Sequence, residues 1–360
     1  MRGIIGAKLD FKLLVSAGAL ISMGLLVLAS SGGDLVIKQL VWLIPAIFFL
    51  IGLPLLNIKA LLSYRWVFSS FYFLILILLV VTYFVAPVIG GARSWITLGT
   101  FQIQPSEFMK AALIILLSSF FAVRHVAIGR VRVILSSFIY ALIPFVLVLL
   151  QPDLGTALVI LGIWFGFLLV SGIRRKHLLI ALLILVVVGF IGWNFALEEY
   201  QKARIGALFS PEMDPLGINY SAIQSKIAIG SGGMWGKGFG QGTQAHLGFL
   251  PAAHTDFIFS AFVEEWGLLG GVLLLLAFAS LFYRILVLGM ESGSNFGKFL
   301  SLGTALMLLI HFVINIGSAT GMLPVIGVGL PLVSYGGSNL LTTTLLLGII
   351  QGVSGRKVRE

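Results

Sequence analysis

The chain has 360 residues, 59% hydrophobic and 10% charged, with no cysteine, a mean hydropathy of +1.10 and a formal net charge of +10. A soluble domain carries about 25% charged residues, so the composition excludes a water-soluble globular fold and indicates an integral membrane protein. The missing cysteines exclude disulfide frameworks, thiolate metal sites and cysteine nucleophiles, and the basic balance reads as cytoplasmic loop bias toward anionic lipid, with no nucleic acid as partner.

Apolar runs fall near 11–31, 39–59, 64–87, 105–124, 131–150, 153–172, 176–196, 256–289, 296–317 and 330–353. Each is long enough to cross a hydrocarbon layer of about 30 Å as a helix. The first follows Arg2, Lys8 and Lys12 as a signal peptide would, but its length and the runs behind it make it an uncleaved span. The sequence therefore predicts an all-α integral membrane protein, a single polytopic domain over 1–360 with ten transmembrane helices and both termini on one side.

Lysine and arginine choose the side. One set of termini and loops holds 16 of them, from Arg2, Lys8 and Lys12 to Arg356, Lys357 and Arg359. The opposite set holds 6, namely Lys38, Arg93, Lys202, Arg204, Lys226 and Lys237, and Lys110 lies within a span. The richer side is cytoplasmic. A large external loop, about 198–255, then separates helices seven and eight and is too long for a simple connection. Its segment Ile218–Ile229 could form a short amphipathic helix at the interface, and a Gly-rich stretch from Gly230 to Thr243 could form a compact re-entrant or lid-like loop.

Three helices that run inward from the external face begin with polar clusters. Helix four opens with Gln104-Pro105-Ser106-Glu107 and carries Lys110 on the same face. Helix six opens with Gln151-Pro152-Asp153, and helix eight with His254-Thr255-Asp256, above Glu264 and Glu265. Arg93 lies in the external loop before helix four. Taken singly, Glu107 and Asp153 could simply complement the N-terminal dipoles of helices marked by Pro105 and Pro152. Three such starts on one membrane face, with Arg93 and Lys110 nearby, point instead to an external polar cavity. Helix N-termini with Arg and Lys suit a phosphate or pyrophosphate. A carboxylate there could act as general base, metal ligand or proton carrier, and spacing does not choose among these.

Nucleotide motifs fail: position 231 is Ser where Walker A needs Gly, Gly238 follows Lys237, and no GxGxxG register fits 236–242. His246, His254 and Asp256 lack the spacing of a defined metal set, His311 inside helix nine reads as a packed, hydrogen-bonded residue, and Glu264 and Glu265 cannot both face one partner.

Five stretches in order, Gly91-Ala92-Arg93-x-Trp95, Gln104-Pro105-Ser106-Glu107-x-x-Lys110, Gln151-Pro152-Asp153-Leu154-Gly155-Thr156, His254-Thr255-Asp256-Phe257-Ile258-Phe259 and Ser334-Tyr335-Gly336-Gly337-Ser338, resemble the SEDS family (shape, elongation, division and sporulation). Gln224–Gly233 and Gly321–Val328 resemble its elongation, or RodA-like, branch more than its division, or FtsW-like, branch; Asn339 departs from the small residue common at that place. The resemblance implies a peptidoglycan glycosyltransferase that polymerises lipid II, a disaccharide-pentapeptide on undecaprenyl pyrophosphate, for cell elongation and shape. It implies a class B penicillin-binding protein and other elongation-complex membrane proteins as partners, in the bacterial cytoplasmic membrane with the active site on the external face. Asp256 falls on the family's catalytic motif position and is expected to be the base. Arg93 and Lys110 are expected to bind the substrate pyrophosphate, with Glu107 and Asp153 orienting them. No motif demands a cofactor; a divalent cation, Mg or Mn, is the one inorganic group these acids could hold. A transporter or lipid flippase is the rival class, since ten spans with intramembrane charge suit it equally.

Overall fold

Helix starts are fixed where a side chain satisfies free first-turn amides. Asp10 accepts from Leu13 N at the head of Phe11–Ser31, Asp153 from Thr156 N at Leu154–Val170, and Ser294 from Gly297 N at Asn295–Thr320. A computed structural model describes residues 9–56, 64–99, 101–124, 131–172, 175–209 and 217–354.

A helix stands at each of the ten apolar runs. Eight are long and apolar enough to cross a membrane: Phe11–Ser31, Gly33–Leu55, Trp66–Val85, Pro105–Arg124, Val131–Leu149, Lys176–Phe195, Ile258–Glu291 and Asn295–Thr320. Leu154–Val170 is apolar but has 17 residues, and Gly337–Ser354 is buried on nearly every side. The chain is thus a multi-pass membrane protein. Pro105–Arg124 is its centre, touching the Arg65–Val85, Val131–Leu149, Leu154–Val170, Asn295–Thr320 and Gly337–Ser354 helices. Lys176–Phe195 lies at the periphery, with only 6% of its apolar window covered by protein.

Between Ile191 and Ile258 the described residues hold more secondary structure than the sequence suggests. A short helix stands near the expected place, as Tyr220–Ser231, packed on the Ile258–Glu291 and Asn295–Thr320 helices. Ser225 Oγ anchors it, donating to Ala319 O at 2.6 Å and accepting from Ser260 Oγ at 2.6 Å. A second helix, Glu199–Phe209, was not anticipated. Nor was the hairpin of Ile96–Leu98 with Phe101–Ile103, whose three-residue strands are too short to show a period.

The Gly-rich stretch is clipped into a break in the longest helix. Gly267 leaves helical geometry (φ 70°, ψ −172°) inside Ile258–Glu291 and frees backbone groups on both sides. Residues 233–238 take them up: Leu268 N donates to Gly233 O (2.8 Å), Leu269 N to Met234 O (3.2 Å), Lys237 N to Glu264 O (3.0 Å) and Gly238 N to Glu265 O (3.0 Å). Satisfying every backbone group inside the protein is what permits a broken helix at membrane depth. The approach is close enough that a Cβ on Gly236 (φ +83°) would lie 2.1 Å from Glu265 O, whereas Gly240 (φ +71°) has open space around it. Gly240→Ala should therefore cost only the left-handed strain, about 1–2 kcal/mol, while Gly236→Ala adds a backbone clash of about 1–3 kcal/mol more. Thermal unfolding of the two variants checks this: the Gly236→Ala midpoint should fall clearly below that of Gly240→Ala, and equal midpoints would contradict the clip.

Candidate active site

His254-Thr255-Asp256 does not open helix eight; the helix begins at Ile258, and the triplet forms the turn before it. Ala252 O takes the amides of Thr255, Asp256 and Phe257 together. The turn's own carbonyls are then held one by one from the last third of the chain. Tyr335 N donates to His254 O at 2.9 Å, and Ser334 Oγ to Thr255 O at 2.6 Å while it accepts Leu330 N. Asn315 Nδ2 reaches Asp256 O and Val328 O, both at 2.9 Å. Three separate anchors leave Asp256 little freedom except in its side chain.

That side chain lies where two clefts meet, sharing Trp95, Gln104, Asp256 and Gly327 in their walls. The first also carries Asp153 and Arg204. The second carries Glu107, Lys110 and His311. Burial raises the Asp256 carboxyl above the usual aspartate range; the Thr255 side chain and Arg204 pull it down, and Asp153 adds to the rise. A carboxylate raised in this way is a stronger base than a free aspartate.

The second cleft has a charged floor. Lys110 is 1% exposed, and its Nζ donates to Glu107 Oε1 at 2.6 Å and to His311 Nε2 at 2.8 Å. His311 Nδ1 donates to Gly329 O at 3.0 Å, so the ring is held as the neutral Nδ1–H tautomer with Nε2 free to accept. Two of the three Lys110 protons are thereby committed, which leaves one for a ligand in the cleft. Gln104 ties the two acidic helix starts together: its Nε2 donates to Asp153 Oδ2 at 2.9 Å and its N to Ser338 Oγ at 2.9 Å. Asp153 is a helix cap as well, since its Oδ1 accepts Thr156 N.

The sequence candidates are therefore distributed as follows. Asp256, Glu107, Lys110 and Asp153 line the joined clefts. Arg93 is exposed; its amide donates to Gln151 O at 3.1 Å, and its neighbours Ala92, Ser94 and Trp95, not Arg93, form the wall. His246 pairs with Glu265 Oε1 at 2.8 Å and Glu264 with Lys237 at 2.7 Å, so the two acids do face different partners. Among the described residues no three His, Cys, Asp or Glu side chains converge as a metal set.

Two residues escaped the sequence reading. Arg204 reaches the first cleft from Glu199–Phe209, with NH1 donating to Val325 O at 3.2 Å and its guanidinium 5.5 Å from the Tyr200 ring. In the sequence it was one external charge among six. Asn315 was the more legible, because a lone amide within an apolar helix signals a functional or structural polar contact.

The model of the FtsW/RodA/SpoVE cell cycle protein family matches residues 8–358. The chain belongs to this family. The peptidoglycan glycosyltransferase MrdB of Escherichia coli K12 is 39% identical over 284 residues, covering 78% of this chain and 76% of MrdB. A solved chain from a peptidoglycan synthase complex, described as coordinating polymerization and crosslinking, superposes with a TM-score of 0.80 at 34% identity, covering 96% of this chain and 97% of that one. The rod shape determining protein RodA of Thermus thermophilus superposes with a TM-score of 0.71 at 30% identity, covering 98% of each.

A buried ammonium needs its counter-charge. Glu107→Gln should destabilise the chain by about 3–5 kcal/mol, because Lys110 is left uncompensated, and adding Lys110→Met should recover much of the loss. Thermal unfolding of the single and double variants tests this; a double variant no more stable than Glu107→Gln would contradict it.

Proposed function

We infer that the chain is a peptidoglycan glycosyltransferase of the elongation, RodA-like branch, polymerising lipid II into glycan strands. The single observation that carries the mechanism is the position of Asp256, one carboxylate common to two clefts that each hold a cation, Arg204 in one and Lys110 in the other.

In this reading Asp256 takes the proton of the acceptor sugar's 4-hydroxyl as that oxygen forms a bond to the anomeric carbon of the donor. The bond from the anomeric carbon to pyrophosphate breaks with inversion, and undecaprenyl pyrophosphate leaves with the electron pair. The transition state resembles an oxocarbenium ion, as in inverting glycoside hydrolysis, with a sugar hydroxyl in place of water. Lys110 and Arg204 stabilise the charge that builds on the pyrophosphate; Arg204 fills from the cavity wall the role that motif spacing offers Arg93, whose contribution would come from the rim. Glu107 orients Lys110, and Asp153 orients Gln104. Where a divalent cation, Mg or Mn, takes part, Asp153 would be the carboxylate to hold it, and the ion would offset charge on the substrate pyrophosphate.

The partner in this reading is a class B penicillin-binding protein that crosslinks the peptides, within a larger elongation assembly of membrane proteins. Both termini lie in the cytoplasm, as the 16 to 6 distribution of lysine and arginine supports, and the clefts open outward, where lipid II sugars are displayed.

Asp256→Asn keeps the shape of the side chain and removes the base, so polymerisation of lipid II should fall by about 10²–10⁴-fold. Gel analysis of glycan products from purified protein with its cognate partner measures this. Near wild-type product would remove Asp256 as the base, and transfer of labelled lipid II across a bilayer without polymer would replace the enzyme reading with that of a flippase.

A further inference from the structure

The wall of the second cleft holds an amide that the mechanism leaves unused. Asn339 lies in the first turn of the Gly337–Ser354 helix, half-buried, and lines that cleft together with Lys110, Thr255, Asp256 and Tyr335. Its backbone is held from two sides. Gln104 N donates to the neighbouring Ser338 Oγ at 2.9 Å, and Gly336 N donates to Gln39 Oε1 at 3.3 Å. Leu340 N closes the turn on Gly336 O at 3.1 Å. The side chain is therefore presented from a fixed point, as recognition of a small group requires.

The plainest structural role for this amide would be to close the helix start. A polar side chain at the third helical position does so by reaching back to the amide before the helix, but Gly336 N is already taken by Gln39. Other polar side chains of the wall are spent on the protein itself: Gln104 on Asp153, Glu107 and His311 on Lys110, Ser334 on Thr255 O. Every residue of this wall is described, and among the described residues none takes the Asn339 amide. Its Oδ1 accepts and its Nδ2 donates, so it matches a group that offers an N–H and a C=O side by side. Val159 and Val328, buried in the same wall, add an apolar place for a methyl group. An amide with a methyl group is an acetamido.

We propose that Asn339 reads the acetamido group of the sugar whose pyrophosphate Lys110 holds, and so selects N-acetylated substrate. The inference rests on the polymerase reading and deepens it. In an N-acetylated amino sugar the acetamido sits on carbon 2, next to the anomeric carbon that carries the pyrophosphate. A cleft that receives the pyrophosphate at Lys110 therefore receives the acetamido beside it. Pairing it with Asn339 fixes the rotation of the sugar about its bond to the pyrophosphate, and with it the face that the anomeric carbon turns to the attacking hydroxyl. A sugar without the amide leaves Asn339 with neither water nor partner, and that cost is the source of the selection.

Substrate discrimination tests this. The purified full chain with its cognate partner is given lipid II, or an analogue in which a hydroxyl replaces the acetamido of the pyrophosphate-linked sugar, and kcat/KM for polymerisation is compared. Wild type should prefer lipid II by about 10- to 100-fold, the effect of losing two hydrogen bonds. Asn339→Ala should lose most of that preference by slowing on lipid II alone, as a role confined to folding would slow both substrates equally. Asn339→Asp keeps the shape of the side chain but has no donor, and its preference should fall between the two. A variant pair that keeps the wild-type ratio would overturn the proposal, as would a wild type that uses both substrates equally. Dependence on Asn339 that appears only when the acetamido of the other sugar is replaced would overturn the placement beside Lys110. A wild type that polymerises neither substrate would overturn the polymerase reading itself.

Discussion

Backbone polar groups inside an apolar bundle have to find partners within the protein, and here that requirement fixes the one turn on which the chemistry depends. The carbonyls of His254, Thr255 and Asp256 are taken by Tyr335 N, Ser334 Oγ and Asn315 Nδ2. Those partners come from the Asn295–Thr320 helix and the loop that follows it, so the carboxylate is held by elements about 60 to 80 positions later in the chain. The same logic recurs at Gly267, where residues 233–238 supply the groups that the broken helix lacks. Both devices hold these helix ends in one arrangement without a disulfide.

Charge inside the bundle is handled by pairing. Lys110 is almost without exposure, and it persists because Glu107 neutralises it and neutral His311 accepts from it. This leaves an ammonium group at the floor of the site that is held in place with one N–H to spare. Arg204 makes the complementary choice, lining the cleft while exposed, with a carbonyl and an aromatic face as its partners among the described residues. One fixed cation below and one adaptable cation above suit a reaction whose leaving group must arrive, gain charge and depart.

Much of this was legible in the sequence. The apolar runs gave the helices, because an apolar stretch of about 20 residues has few alternatives in a membrane. The acidic helix starts gave Glu107, Asp153 and Asp256, because an ionisable group at a helix entrance is rarely idle. What escaped was set by tertiary geometry. Gly267 is one glycine among 43, and nothing local marks it as the place where a helix breaks. Arg93 and Arg204 carry the same side chain on the same loop side, and only the packing of Glu199–Phe209 decides that Arg204 lines the cleft. The Ser334-Tyr335 stretch was recognisable as a motif, yet its work, gripping the turn before Ile258, appears only when two segments about 80 positions apart are seen together.

The central claim is that Asp256 acts as the base in a site that raises its pKa by burial and tempers that rise through Arg204. A base works only when deprotonated, so activity must fall as pH drops through the raised value, above the ordinary aspartate pKa of about 3.9. The direct test is the pH dependence of kcat/KM for lipid II polymerisation in wild type and Arg204→Ala. The account predicts an acid limb above the ordinary aspartate range in wild type, displaced to higher pH when the arginine is removed. A wild-type profile that stays flat down to about pH 4, or a limb that Arg204→Ala leaves in place or moves downward, would contradict it.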